Sequence, residues 1–444
     1  MIWLWIILAL ILSFIPLINK KIDASYYIWL LLPIDAYGIV VASTTIKPYM
    51  IFALILPIIA YAKNKGTDFD LSASKGQILA GIISVLIIIV NLFNGDSFSS
   101  VKAAFMTLVV YVCAQVCVSC TDCKKSSQLT DVFIASCFGC AVVFVLIYIC
   151  LQSSITLDGF VAAHRSKIGI FMRTVDMKNG AAVEIYRLRG FAYDPTIMFP
   201  QFIFGISACI SRLFKKFKLY YLVTLILSVF VIILSSSRMG LLCIALAVVI
   251  TCIVGISQFE TVKKKVLSII GVLSACAVFL GFTATKYGQS VMSSLFSTYT
   301  NRSGLTDRYG RFSIWQDCLS VYWEKNPLWG IGLDRLDTFT AIGRTAHNTW
   351  LQLICECGII VGGLATVYFF SIMIMGWSKI KAKLNSTLEN ASYICLVIGY
   401  TVTVISLIST DSITCSYLWF SALLLLKMMA DKNSSALNYN KIST

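Results

Sequence analysis

Four residues of this chain have the side chains and settings to handle a charged leaving group. Arg189 stands in Leu188-Arg189-Gly190-Phe191-Ala192-Tyr193-Asp194-Pro195, Arg238 in Ser235-Ser236-Ser237-Arg238-Met239-Gly240, and Arg311 follows Gly310. Arg189 and Arg238 lie where an apolar run meets a polar connection, and Arg311 lies in the longest polar loop itself. A guanidinium next to a glycine can grip a phosphate through two parallel N–H bonds while the backbone comes close. Taken singly, such an arginine is a snorkelling interfacial side chain. Arg238 resists that reading, because almost no loop surrounds it and burial there requires an anionic partner. His347, in Ala346-His347-Asn348, precedes a long apolar run. Thr345 can cap a helix there, which would place the imidazole in the first turn, where the positive helix end favours the neutral, proton-accepting form.

These residues are held by a membrane protein. The chain has 444 residues, 58% of them hydrophobic and only 13% charged, and its mean hydropathy is +0.84. Apolar runs of about 16 to 20 residues each match one bilayer crossing as a helix. Barrel strands would be shorter and alternating. The expected fold is therefore all-α: a polytopic transmembrane bundle of 12 to 13 spans, placed near residues 2–18, 26–42, 48–62, 78–93, 101–118, 132–151, 196–210, 219–234, 239–254, 266–284, 350–376, 391–409 and 413–429. The first run lacks a small-residue cleavage site and reads as a retained span. Lysines and arginines concentrate in every second short loop, at Lys20 and Lys21, Lys124 and Lys125, Arg212 to Lys218, and Lys263 to Lys265, which makes those loops cytoplasmic. The net charge of +15 thus follows from topology and implies no nucleic acid partner.

Two connections are long, and both fall on the outer side. The organisation expected is N-terminal spans over 1–151, a first extracytoplasmic loop over 152–195, central spans over 196–284, a large extracytoplasmic loop over 285–346, C-terminal spans over 347–430 and a cytoplasmic tail over 431–444. The long loops carry Arg311, Trp315, Trp323, Trp329 and the second histidine, His164, which reads as an ordinary polar side chain. The tryptophans read as interfacial anchors that could also stack on sugars.

Other motifs weaken on inspection. Cys120, Cys123, Cys137 and Cys140 have zinc-ribbon spacing, but the second pair falls in an apolar run, where thiols pack as small apolar groups. Asp68-Phe69-Asp70 matches a metal-holding pair, yet its loop is too short for a nucleotide-binding domain and reads as a solvated acidic pair. Cys318 is the lone cysteine of the long outer loops. No phosphate loop or metal motif is present, so no cofactor and no metal are expected.

Taken together and in order, Arg-Gly-Phe with Asp-Pro after it, Ser-x-Ser-Arg opening a span, Gly-Arg-x-x-x-Trp, Asn-Pro-Leu-Trp-Gly-Ile-Gly, and His-Asn before a run with Gly358 and Gly363 resemble the O-antigen ligase and O-antigen polymerase superfamily over residues 185–365. The resemblance implies a GT-C-type glycosyltransferase in the bacterial inner membrane, with its site on the periplasmic face. It implies an undecaprenyl-diphosphate-linked oligosaccharide as donor, a diphosphate grip by Arg189, Arg238 and Arg311, and His347 as catalytic base. The lipid bilayer is an obligatory partner and a chain-length regulator protein an accessory one. The Arg187 to Pro195 stretch looks more like the polymerases, which join lipid-linked repeat units, than the ligases, which move glycan to a lipid A core or protein. A lipid-glycan transporter would place ionisable groups deep in several spans, and Asp35 is the clearest of few.

Overall fold

The computed structural model describes residues 2–41, 44–63, 73–94, 98–154, 170–178, 181–257, 262–286, 289, 292–293, 310–383 and 388–442. Asp68, Asp70 and His164 lie outside them. The chain is helical almost throughout: α1 (Ile2–Phe14), α2 (Ile28–Leu31), α3 (Pro48–Lys63), α4 (Lys75–Asn94), α5 (Phe98–Ser119), α6 (Ser127–Ser154), α7 (Pro195–Lys215), α8 (Leu219–Leu234), α9 (Arg238–Ser257), α10 (Val262–Ala284), α11 (Arg311–Lys325), α12 (Leu336–Phe339), α13 (Thr349–Lys383), α14 (Leu388–Ser406) and α15 (Ser416–Ile442). Two antiparallel hairpins interrupt it, β1 (Ile39–Val41) with β2 (Thr44–Ile46) and β3 (Phe171–Lys178) with β4 (Ala181–Leu188). Among the described residues seven helices are long and apolar enough to cross a bilayer, and α1, α3 and α8 are shorter apolar helices. The chain is a multi-pass membrane protein of the all-α class.

Two expected spans are not continuous helices. Among the described residues of the 26–42 segment, the turn Ala24–Tyr27 and α2 are followed by irregular backbone over 32–38 and then by β1. It still travels far: Tyr26 Oη donates to Asp122 O at 3.0 Å, whereas Asp35 N donates to Phe191 O at 3.1 Å, near the other end of α6. Non-helical backbone survives at this depth because protein surrounds it, and residues 28–30 and 32–35 are all buried. Pro33 and Gly38 explain the break that hydropathy cannot register.

The 350–376 span is two helices. Gly358 has φ 74° and ψ 169°. In a continuous helix Trp350 and Phe369 would stand roughly 28 Å apart, at 1.5 Å per residue. Their ring centroids are 5.9 Å apart, and Trp350 to Phe370 is 5.3 Å. The arm over 349–357 therefore folds back on the arm over 359–383, so closely that a Cβ on Gly362 would lie 2.1 Å from Leu353 O. The reversal frees backbone groups, and the Pro327 to Gly332 turn takes them up: Ile331 N donates to Cys355 O at 3.3 Å, Gly332 N to Glu356 O at 2.9 Å, and Ile359 N to Pro327 O at 2.9 Å. The Asn-Pro-Leu-Trp-Gly-Ile-Gly motif is the plug of a broken helix.

Candidate functional site

The short arm of α13 begins just after His347. The expected cap is corrected here: Asn348, not Thr345, closes the helix, its Oδ1 accepting from Trp350 N at 3.1 Å and Leu351 N at 3.2 Å. His347 thus precedes the cap rather than sitting in the first turn. It has φ 46°, a left-handed conformation that a non-glycine side chain keeps only under external constraint.

That constraint is visible from two sides. From α11, Arg311 Nη1 donates to His347 O at 2.8 Å, its Nη2 to Ser409 O at 3.0 Å, and Trp315 Nε1 to Ala346 O at 2.9 Å. From the α14–α15 connection, Thr349 Oγ1 donates to Thr410 O at 2.6 Å and accepts from Ser412 N at 3.0 Å, while the Thr345 hydroxyl donates to the Asp411 carboxylate. The clamp aims His347 Nδ1 at Asp411 Oδ1, 3.6 Å away. With a carboxylate facing Nδ1, the neutral imidazole keeps its proton there and offers the Nε2 lone pair outward. The ring is 45% exposed and so reachable by substrate. Burial raises the Asp411 pKa, but the facing His347 imidazole, with the Thr345 hydroxyl, outweighs it and holds the carboxyl below its ordinary range.

Asp411 also lines a cavity of about 400 Å³, within the usual range for small-molecule sites. Lys47, Lys102, Tyr193, Asp334 and Gln352 share its wall. Lys47 and Asp35 form a buried pair at 2.5 Å, and Lys47 Nζ lies 5.6 Å from the Tyr193 ring centre. Asp35 is thus a compensated charge beside the cavity. Glu356, fully buried, also lines the cavity and accepts from Arg335 N at 3.2 Å and Leu336 N at 3.1 Å. Next to that turn Asp334, at φ 59°, has a pKa raised by partial burial and by the charges of Asp337 and Asp411.

The other arginines assemble around a second turn. Gly190, at φ 61°, turns the chain against Phe144 and Met198, and Asp194 then caps α7 by accepting from Thr196 N at 2.7 Å with Pro195 in the first turn. The Asp-Pro of the motif is thus a helix start. Arg189 is buried, donates to Tyr193 O at 3.4 Å and hydrogen-bonds Tyr37. Arg187, also buried and not singled out by the sequence, donates from Nε to Ser235 O at 3.3 Å. This ties β4 to the turn that starts α9, where Ser236 has φ 49° and exposed Arg238 is the first helical residue. The structure therefore unites Arg311 with His347 directly and Arg189 with the Arg238 turn through Arg187. Tyr193 and Lys47 carry the second group to the cavity that Asp411 lines.

Asp411, Lys47 and Arg187 escape sequence reasoning because each meets a residue far along the chain: His347, Tyr193 and Ser235 in turn. Cys318 is not solitary: Cys355 Sγ donates to its carbonyl at 3.7 Å, both residues being fully buried. Cys137 and Cys140 are buried in α6, Cys137 Sγ lying 3.0 Å from Ser228 Oγ.

Residues 223–366 match the O-antigen ligase family model. The match covers 144 of the 444 residues and includes Arg238, Arg311 and His347. It supports the O-antigen ligase and polymerase superfamily, and with it a membrane glycosyltransferase of that type. No curated protein matches the chain.

Removing the Asp411 charge tests the clamp. Asp411→Asn is expected to keep the fold, since an amide still accepts from Thr345, and to lower turnover by roughly tenfold or more, as a charged hydrogen-bond partner contributes about 1.5–3 kcal/mol. The carboxyl is held low, so its contribution is complete above the ordinary carboxylate range and is lost as pH falls through the lowered value. A pH–rate profile in which wild type and Asp411→Asn coincide would refute this role.

Proposed function

We propose that this protein is an O-antigen or capsule repeat-unit polymerase, transferring glycan from an undecaprenyl diphosphate carrier to the acceptor sugar of another lipid-linked repeat unit. One observation carries the reading: His347 is clamped in a left-handed conformation with Nδ1 on Asp411, beside a cavity that Tyr193 and Lys47 connect to the arginine turn. The acceptor hydroxyl gives its proton to His347 Nε2 as its oxygen attacks the anomeric carbon in line. The bond from that carbon to the diphosphate oxygen breaks with its electron pair, and the configuration inverts. Arg189 and Arg238 neutralise the departing diphosphate, with Arg187 joining them. Arg311, whose guanidinium holds the His347 and Ser409 carbonyls, acts as a positioning residue in this scheme.

The ligase reading, in which glycan moves to a lipid A core or a protein, is favoured by the description of the matched family model. Products separate the two. Loss of a polymerase leaves single repeat units on the core, and loss of a ligase leaves long polymer on the carrier.

The site belongs on the periplasmic face of the inner membrane. Lys20 and Arg212 meet Asp131 near the start of α6, while Gly190 packs on Phe144 of the same helix, roughly 20 Å away at 1.5 Å per residue. The lysine-rich end and the arginine turn are thus separated by most of a bilayer, and the positive end is cytoplasmic. Alkaline phosphatase fused after Ser303 should be active and the same enzyme fused after Lys264 inactive. The reverse pattern would place the site in the cytoplasm and remove the lipid-linked donor from consideration.

Arg238→Ala should lower turnover by more than about tenfold, with Arg238→Lys recovering only part, because a point charge keeps the attraction but loses the fork. Wild-type glycan in a well-expressed Arg238→Ala strain would make it a snorkelling side chain.

A further inference from the structure

Helix α11 divides its residues by face. Ile314, Cys318, Val321 and Tyr322 are buried, and form one cluster with Leu336, Ala346 and Cys355. On the other side Phe312, Leu319 and Trp323 are exposed at 52%, 41% and 70%. Their spacing of seven and then four residues keeps them within an arc of about 40° at 100° per residue. Polar Gln316, Ser320 and Glu324 run along one side of the stripe.

The stripe continues into the exposed apolar surface of two spans. Past the helix come Leu328 and Trp329, exposed at 55% and 48%. Trp329 O accepts from Asn94 Nδ2 at 2.6 Å, and Asn94 ends the span α4, where Phe93 is 85% exposed. Pro327 O accepts from Ile359 N, and Ile359 with Ile360 opens the outer face of the long arm of α13. The orientation of α11 follows from what its ends touch. Its first residue bonds Ser409, just past the end of α14, and the turn after its last bonds Asn94, the end of α4. A helix joining the same-side ends of two spans runs across the bundle, in the plane of the membrane.

We propose that α11 is an in-plane membrane helix, with Phe312, Leu319 and Trp323 immersed at headgroup depth in the leaflet next to the site. A stripe of this kind left in water would be an exposed apolar patch, whereas an amphipathic helix with a tryptophan on its apolar face suits the bilayer interface. The consequence for the site rests on the reading of His347 as base. Because Arg311, in the first turn of α11, holds the His347 carbonyl, the grip of this helix on lipid sets the depth of the imidazole at the level where a lipid-borne diphosphate lies.

The test uses the intact protein reconstituted at one copy per nanodisc, with lipids brominated either near the headgroup or near the chain end. The Trp323 emission is read as the difference between wild type and Trp323→Phe, which preserves the apolar face. Quenching strongest with headgroup-proximal bromine, and resistance to aqueous iodide, is the expected result. Iodide quenching without bromolipid quenching, or strongest quenching by the chain-end bromines, would overturn the proposal. The fluorescence readout is independent of activity, so it stands or falls separately from the catalytic reading. Leu319→Asp probes the same surface by a second route: it should shift the Trp323 emission to the red in nanodiscs, and an unchanged spectrum would count against immersion.

Discussion

His347→Ala is expected to fold, insert and bind the lipid-linked donor while turnover falls by about 10²- to 10⁴-fold, the usual loss when a general base is removed. Folding should survive because the clamp holds the backbone of residue 347 rather than its ring: Arg311 bonds its carbonyl, and the cap belongs to Asn348. Alanine is less at ease than glycine at φ 46°, so His347→Gly serves as a control with the same missing base and no backbone strain. Both variants should show the same collapse in product, seen as single repeat units on the core in a cell with its own ligase. Wild-type-length glycan from either variant, at normal protein level, would take the imidazole out of the mechanism.

Gly358→Ala should damage the protein itself. Position 358 has φ 74°, and a Cβ there would lie 2.1 Å from Leu328 O and 2.5 Å from Trp329 N. A left-handed backbone costs alanine roughly 1–2 kcal/mol, and overpacking a close contact adds about 1–3 kcal/mol more. The neighbours are backbone atoms of the plugging turn, and they cannot yield without breaking the bonds that satisfy the broken helix. Gly363→Ala, whose nearest neighbour would be the tip of Ile359 at 3.4 Å, is the matched control and should be close to neutral. Thermal unfolding in detergent should show a large drop for the first variant and little for the second. Equal melting of the two would mean that the hairpin at Gly358 does not hold the arm that carries Asn348.

Much of this architecture is legible from the sequence, because its signals are local. A run of apolar residues long enough to cross a bilayer needs no knowledge of its neighbours, and the bundle follows from hydropathy alone. Local chemistry likewise marks the span-end arginines, the glycines beside them and His347 next to a helix start. Even the in-plane helix is foreshadowed by Phe312, Leu319 and Trp323 at helical spacing, though the count of spans offers no place for it.

Tertiary structure alone decided the rest. Hydropathy averages over a window, so it cannot see that one positive-φ glycine turns 350–376 back on itself, or that 32–38 runs as irregular backbone sheltered by protein. The partners of the site are set by closure of the bundle: Asp411 is 64 residues from His347, and Arg187 is 48 from Ser235. Charge and hydrogen-bonding capacity are written in each residue type, but whether Arg311 grips a backbone carbonyl or Arg189 a tyrosine depends on which helix ends the packing brings within 3.5 Å.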